Sequence, residues 1–153
     1  MPELVPLDKL KTYVGQEMGT SDWLQINQDR VNSFADCTGD HQWIHVNPDL
    51  AKQGPFGATI AHGYLTLALL VQLSGGMRVI PAGTKMAINY GLNKVRFLTP
   101  VKVGSKIRNK AVLKGVEDKG GGRVLMTTEN TIEIQGEEKP ALVAETLAMF
   151  FTG

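Results

Sequence analysis

A single cysteine, three histidines and almost no surplus of charge are what this 153-residue chain has least of, and each shortage excludes something. The lone Cys37 rules out an internal disulfide and any multi-cysteine metal site, and it is expected to be a small buried or half-buried side chain. Sixteen Lys and Arg against fifteen Asp and Glu leave a formal net charge of +1, so no broad basic field exists to hold nucleic acid or an anionic membrane. Long apolar runs are missing too. The longest, Tyr64 to Leu73, is about half of the roughly 20 residues that a bilayer-spanning helix needs. The opening MPELVPLDKLKTYVG carries two prolines and mixed charges where a signal peptide has a basic start and an apolar run. A cytoplasmic protein with no nucleic-acid and no membrane partner is therefore expected. Internal repeats and low-complexity tracts are also absent, which suggests one domain over residues 1–153.

What is present reads as helices first and strands later. Pro2 to Val14 fits a short peripheral helix, and Trp23 to Ile26 a short strand. Asn27 is a good N-cap, and Val31, Phe34, Ala35 and Thr38 follow at helical spacing before Gly39, which predicts a helix from Gln28 to Cys37. From Asp40 to His62 the chain is loop-like, punctuated by Asn47-Pro48, Gly54-Pro55 and Gly57, with one short turn around Asp49 to Gln53. Polar loops of about 20 residues in a compact domain are uncommon and often functional. GYLTLALLVQLSGG then predicts a helix that is apolar on nearly every side, hence buried all round, ending at Gly75 and Gly76. Strands are predicted over Lys85–Tyr90, Lys94–Val101, Lys106–Glu117, Arg123–Gln135 and Ala141–Phe151, with Gly120 to Gly122 as a hairpin turn. One buried helix followed by long antiparallel strands implies an α+β domain whose sheet wraps around that helix.

The chemistry-bearing residues cluster in two short stretches. TGDHQWIH, residues 38–45, holds Asp40, His41 and His45. Asp40 and His45 are close enough in an irregular segment to converge on one cavity, where an imidazole and a carboxylate can share a water molecule; a turn aspartate beside a satisfied half-buried histidine has the same spacing. His41 and His45 have the i, i+4 spacing of zinc ligands, but Gln42 stands where the general-base glutamate of that motif would be, and no third ligand presents itself. His62-Gly63 opens the buried helix, so first-turn amides point outward without intrahelical partners and could hold a developing oxyanion; a tight helix entry also explains the glycine. Lys94 and Arg96, two apart on a predicted strand, face the same side. A phosphate at a pocket mouth and a solvated sheet face account for them equally. Thr66 and Ser74 on the buried helix are expected to hydrogen-bond back to their own helix.

Taken together, FADCTGDHQWIHVNPDLAKQGPFGATIAHGYLTLALL, residues 34–70, is similar to the MaoC-like hydratases, the (R)-specific enoyl-CoA hydratases and dehydratases of hot-dog fold. INYGLNKVRFLTPVKVGSKIR, residues 88–108, resembles the nodulation protein N-like branch of that family. The likeness covers nearly the whole chain. It implies a curved antiparallel sheet around one long central helix, and a homodimer with a continuous sheet. By position, Asp40 and His45 match the catalytic pair, and Gly63 matches the residue whose amide holds the thioester oxygen; Gln42, His62, Tyr64, Lys94 and Arg96 become candidate substrate-binding residues. Many members read Asp-x-Asn-Pro-x-His, where this chain has Gln42 and Trp43, and some carry a serine where it reads Ala68 to Val71.

The implied activity is reversible syn hydration of a trans-2-enoyl thioester to an (R)-3-hydroxyacyl thioester, on coenzyme A or an acyl-carrier protein, with no metal and no cofactor. The resemblance also leaves room for a hot-dog acyl-CoA thioesterase and a non-catalytic acyl-thioester binding protein. The acyl pocket is expected between the long helix and a partner subunit, beside Trp43, Tyr64 and Leu67.

Overall fold

Alternation of apolar and polar residues in the second half of the chain builds the scaffold on which the site stands. In the computed structural model, which describes residues 1–153, the elements run β1 (Glu3–Val5), α1 (Leu7–Lys11), β2 (Glu17–Thr20), β3 (Leu24–Gln25), α2 (Gln28–Thr38), α3 (Trp43–Val46), α4 (Pro48–Ala51), α5 (Gly63–Ala68), α6 (Leu70–Leu73), β4 (Val79–Pro81), β5 (Met86–Phe97), β6 (Lys106–Gly120), β7 (Arg123–Ile134) and β8 (Leu142–Phe151). The main sheet is antiparallel in the order β2-β6-β7-β8-β5, with β3 added beside β6. β1 and β4 form a separate parallel pair. Along β7, Val124, Met126, Thr128, Asn130, Ile132 and Ile134 are all buried, as the period of two requires. Gly120, Gly121 and Gly122 all have positive φ and close the β6–β7 hairpin.

Two sequence expectations about the strands change. The segments predicted as Lys85–Tyr90 and Lys94–Val101 merge into one strand, β5, Met86–Phe97, in which register shifts at Asn89/Gly91 and Leu92/Val95 let it bend and keep pairing with β8 through Gly91; residues 98–101 lie beyond its end. The N-terminal stretch predicted as one helix is split by Pro6 into β1 and α1. The β1–β4 pair has no local signature, since its partners lie far apart in sequence.

The helix predicted to be long and buried all round is also different. α5 and α6 are two short pieces meeting at Leu69, with Ser74 N–H still bonded to the Leu70 carbonyl. Leu65, Leu69, Leu70 and Leu73 are buried against the sheet, whereas Tyr64 and Val71 are 74% and 71% exposed. One face is therefore open. α2 behaves as expected: Asn27 caps it by accepting from the Arg30 N–H, and Gly39, at φ 81°, ends it one residue past Cys37. Cys37 is exposed rather than buried, because α2 turns Val31 and Ala35 inward and leaves Cys37 on the outer side.

Candidate active site

The loop after α2 carries the candidate pair, and its shape comes from main-chain hydrogen bonds at both ends. Gly39 ends α2, so Asp40 begins an irregular turn in which its Oδ1 accepts from the Gln42 N–H at 3.3 Å. α3 then presents His45 inward, with 6% of its surface exposed. Ile60 holds that turn twice: its N–H donates to the Ile44 carbonyl at 2.9 Å, and its carbonyl accepts from His45 Nδ1 at 2.7 Å. A carbonyl can only accept, so Nδ1 carries a proton, and in the neutral imidazole Nε2 keeps its lone pair. That lone pair faces Asp40 Oδ2 at 3.9 Å.

Gln28 on α2 supplies a further brace that nothing in its local sequence singles out. Its amide donates to the His45 carbonyl at 2.7 Å, and its Oε1 accepts from the Thr59 hydroxyl at 2.7 Å. One side chain thus ties the helix, the histidine turn and the segment before Ile60. The only available signal was a glutamine at the first helical position, which is too common to be diagnostic.

His62 lies beneath the pair. Its ring stacks on His45 with centroids 3.9 Å apart, and Phe34 packs against it at 4.9 Å. His62 Nε2 donates to the Asp40 carbonyl at 3.0 Å, while Nδ1 is buried without a partner. Only 3% exposed, His62 positions the loop rather than meeting the cleft. Together Asp40, His45 and His62 are the chain's one cluster of metal-ligand type, their donor atoms lying within 4.8 Å of one another. His45 Nδ1 and His62 Nε2 are committed to carbonyls, which leaves His45 Nε2, the Asp40 carboxylate and the buried His62 Nδ1 as the cluster's uncommitted ligand atoms.

Gly63 begins α5 and is exposed, and its first-turn amide is free of the helix ladder. A Cβ at this position would come 3.1 Å from the Phe97 ring, so any larger residue must displace that side chain. A cleft of about 240 Å³ lies here, bounded by His45, Ile60, Gly63, Thr66 and Phe97. Thr66 bonds back to the His62 carbonyl at 3.4 Å as expected; Ser74 does not, and accepts instead from Asn109 Nδ2 at 3.5 Å.

The remaining candidates are less converged. Gln42 is exposed at the N-terminus of α3. Tyr64 projects outward with its ring edge-on to Phe97 at 6.3 Å. Lys94 and Arg96 are exposed on β5, where the Arg96 guanidinium donates to the Val95 carbonyl. His41 turns back to Asp36 at 2.9 Å, away from His45. Trp43, in place of proline, covers Gly54, where a Cβ would meet its ring at 3.0 Å.

A model of the MaoC-like domain matches residues 9–135. The chain belongs to the MaoC-like dehydratase family. It is 55% identical over 141 residues to 3-hydroxyacyl-thioester dehydratase Z of Mycobacterium tuberculosis H37Rv, covering 92% of this chain and 93% of that protein. Nodulation protein N of Rhizobium meliloti is 46% identical over 148 residues, with 95% and 91% covered. Among solved structures, an unliganded R-hydratase of Pseudomonas aeruginosa superposes with a TM-score of 0.73 at 26% identity, covering 99% of this chain and 89% of that one. The MaoC-like chain is thus an enzyme of the hydratase and dehydratase class with the hot-dog fold, although its central helix is interrupted. No helix in it is long and apolar enough to cross a membrane.

Proposed function

We propose that this enzyme reversibly hydrates trans-2-enoyl-CoA thioesters to (R)-3-hydroxyacyl-CoA, with acyl-carrier-protein thioesters as an alternative substrate form. The observation that carries this is the facing of His45 Nε2 and Asp40 Oδ2 at 3.9 Å beside a cleft that also bears Gly63. That separation exceeds hydrogen-bond reach, and one water molecule can bond to both atoms. In the hydration direction His45 Nε2 takes a proton from the water as its oxygen adds to C3. The Asp40–His45 pair returns a proton to C2 on the same face. Charge that develops on the thioester oxygen is received by the Gly63 amide. General acid–base catalysis of this kind contributes about 10²–10⁴-fold and one oxyanion donor about 10²–10³-fold. His62 is a positioning residue: it fixes the Asp40 main chain and supports the face of His45.

The open face of the chain supports a homodimer as part of the same proposal. β5 is an edge strand of 12 residues on which Met86, Ile88, Tyr90 and Leu92 are exposed, next to exposed Val71. Long apolar edges of this type are normally paired, and a second copy related by a twofold axis would extend the sheet antiparallel. The exposed thiol of Cys37 suits the reducing cytoplasm, where we place the enzyme.

The test is incubation with crotonyl-CoA, following loss of the enoyl-thioester absorbance together with release of free thiol. Absorbance loss without thiol is the expected outcome. Thiol release would instead assign a thioesterase, and no change at any chain length a binding protein. Asp40→Asn and His45→Gln should each remove turnover while the fold persists, and near-normal rates in either variant would overturn the mechanism.

A further inference from the structure

Two residues around His45 are not the ones their backbones favor. Trp43 is the first residue of α3, so its N–H lies outside the helix ladder, and Gln42 before it is extended at φ −57° and ψ 139°. That is a main chain suited to proline. The first helical position tolerates the missing N–H, and the residue ahead of a proline prefers such an extended conformation. A proline would also stiffen the turn by removing freedom from the unfolded chain. An indole occupies the position instead.

Gly54 shows the converse. Its φ lies outside the left-handed region, so its backbone gives no reason for a glycine. What a Cβ there would meet is the same indole, 3.0 Å from Trp43 Cη2 and 3.0 Å from Cζ3, together with the Ala51 carbonyl at 3.3 Å. The two departures therefore meet in one contact, and that contact closes a ring. The Trp43 carbonyl accepts from the Asn47 N–H at 3.0 Å, Asn47 Oδ1 caps α4 through the Leu50 N–H at 3.0 Å, and the Gly54 N–H donates to the Ala51 carbonyl at 3.0 Å. The chain thus leaves α3, runs through α4 and comes back onto Trp43 at Gly54. From there it reaches Thr59, which donates to Gln28, and Ile60, whose carbonyl holds His45 Nδ1 at 2.7 Å.

We propose that Trp43 is a positioning residue of the enzyme: seated on Gly54, its indole latches the segment from Asn47 to Thr59 against α3 and so fixes where Ile60 meets His45. This rests on the hydratase function proposed above and adds to it a residue outside the reacting groups. Trp43 lines neither the cleft nor a larger cavity of about 400 Å³ beside α5 and α6, so it acts through this segment and not by touching the acyl chain. A proline stiffens only its own residue, whereas the indole reaches a residue eleven positions further along the chain.

Trp43→Pro is the decisive variant, because it suits the backbone and removes the latch. Its melting temperature should stay close to that of the unmodified protein, while kcat for crotonyl-CoA falls about tenfold at nearly constant KM, as a small misplacement of His45 requires. Gly54→Ala tests the same contact without touching α3. It should lower kcat by pushing the indole away, and adding Trp43→Phe, whose shorter ring clears the new methyl group, should restore most of the loss. A readout apart from activity is the His45 Nδ1 proton, followed by proton–nitrogen correlation NMR, which should exchange with water about tenfold faster or more in Trp43→Pro. Unaltered kcat in Trp43→Pro, a kcat that falls only in step with the melting temperature, or no rescue of Gly54→Ala by Trp43→Phe would overturn the proposal. Failure of the hydratase function has a different signature: the unmodified protein leaves crotonyl-CoA unchanged while proton exchange at His45 still responds to Trp43→Pro.

Discussion

Replacing Gly63 with alanine probes the center of the site through a contact the structure defines closely. The new Cβ would lie 3.1 and 3.2 Å from two ring carbons of Phe97 and 3.5 Å from a third. Ordinary carbon–carbon separation is about 3.5–4.0 Å, so the ring must retreat by roughly half an ångström. Phe97 is 51% exposed and can do so, which limits the stability cost to about 1 kcal/mol, at the low end for overpacking. Its retreat nevertheless reshapes the cleft that it lines together with His45. A 1 Å misplacement of reacting groups can cost about 10²-fold, so half that shift in a lining side chain should lower kcat/KM for crotonyl-CoA by about tenfold while the melting temperature moves by only a few degrees. The mechanism runs through Phe97, so Gly63→Ala and Phe97→Ala should be non-additive: the double variant should recover part of what Gly63→Ala lost. An undiminished rate in Gly63→Ala, or strictly additive losses in the cycle, would refute the reasoning.

Other expectations follow from the supporting shell. Gln28→Leu removes the bonds to the His45 carbonyl and the Thr59 hydroxyl, and should cost about 1–3 kcal/mol in urea unfolding, with a lower kcat. His62→Leu should leave KM nearly unchanged and depress kcat, because the lost bond holds the Asp40 main chain and not the substrate; a rise in KM alone would contradict a positioning role. Ile88→Lys combined with Tyr90→Lys places two charges on the exposed β5 edge and should convert a dimer to monomers in sedimentation velocity, with an undisturbed dimer arguing against that edge as the interface. Alkylation of exposed Cys37 should proceed in the native state and leave hydration unaffected, since α2 points it away from the cleft.

Much of this architecture is legible from one dimension. The strand-like stretches Lys106–Glu117, Arg123–Gln135 and Ala141–Phe151 correspond to β6, β7 and β8, the Asn27 cap and Gly39 stop bound α2 to within a residue, and glycines mark the Gly120–Gly122 hairpin. Local rules suffice there because caps, turns and pleats are decided by neighbors in the chain. The candidate pair was also visible, though only through a family pattern, since the spacing of Asp40 and His45 fits an ordinary turn just as well.

Tertiary structure decided the rest, for reasons of distance in sequence. The tautomer of His45 depends on a carbonyl 15 residues away, and the brace from Gln28 on a hydroxyl 31 residues away, neither of which leaves a local trace. Burial of the α5–α6 run could not be read from an apolar sequence, because whether Tyr64 and Val71 meet protein or an open face depends on where β5 ends the sheet. His62 was set apart by sequence as a neighbor of Gly63; only packing revealed it beneath His45, supporting the loop. A buried polar cluster is the clearest case. Asn109, Asn130 and Thr146 are unremarkable in three separate strands, and antiparallel register alone brings them into hydrogen-bond contact on a diagonal across β6, β7 and β8.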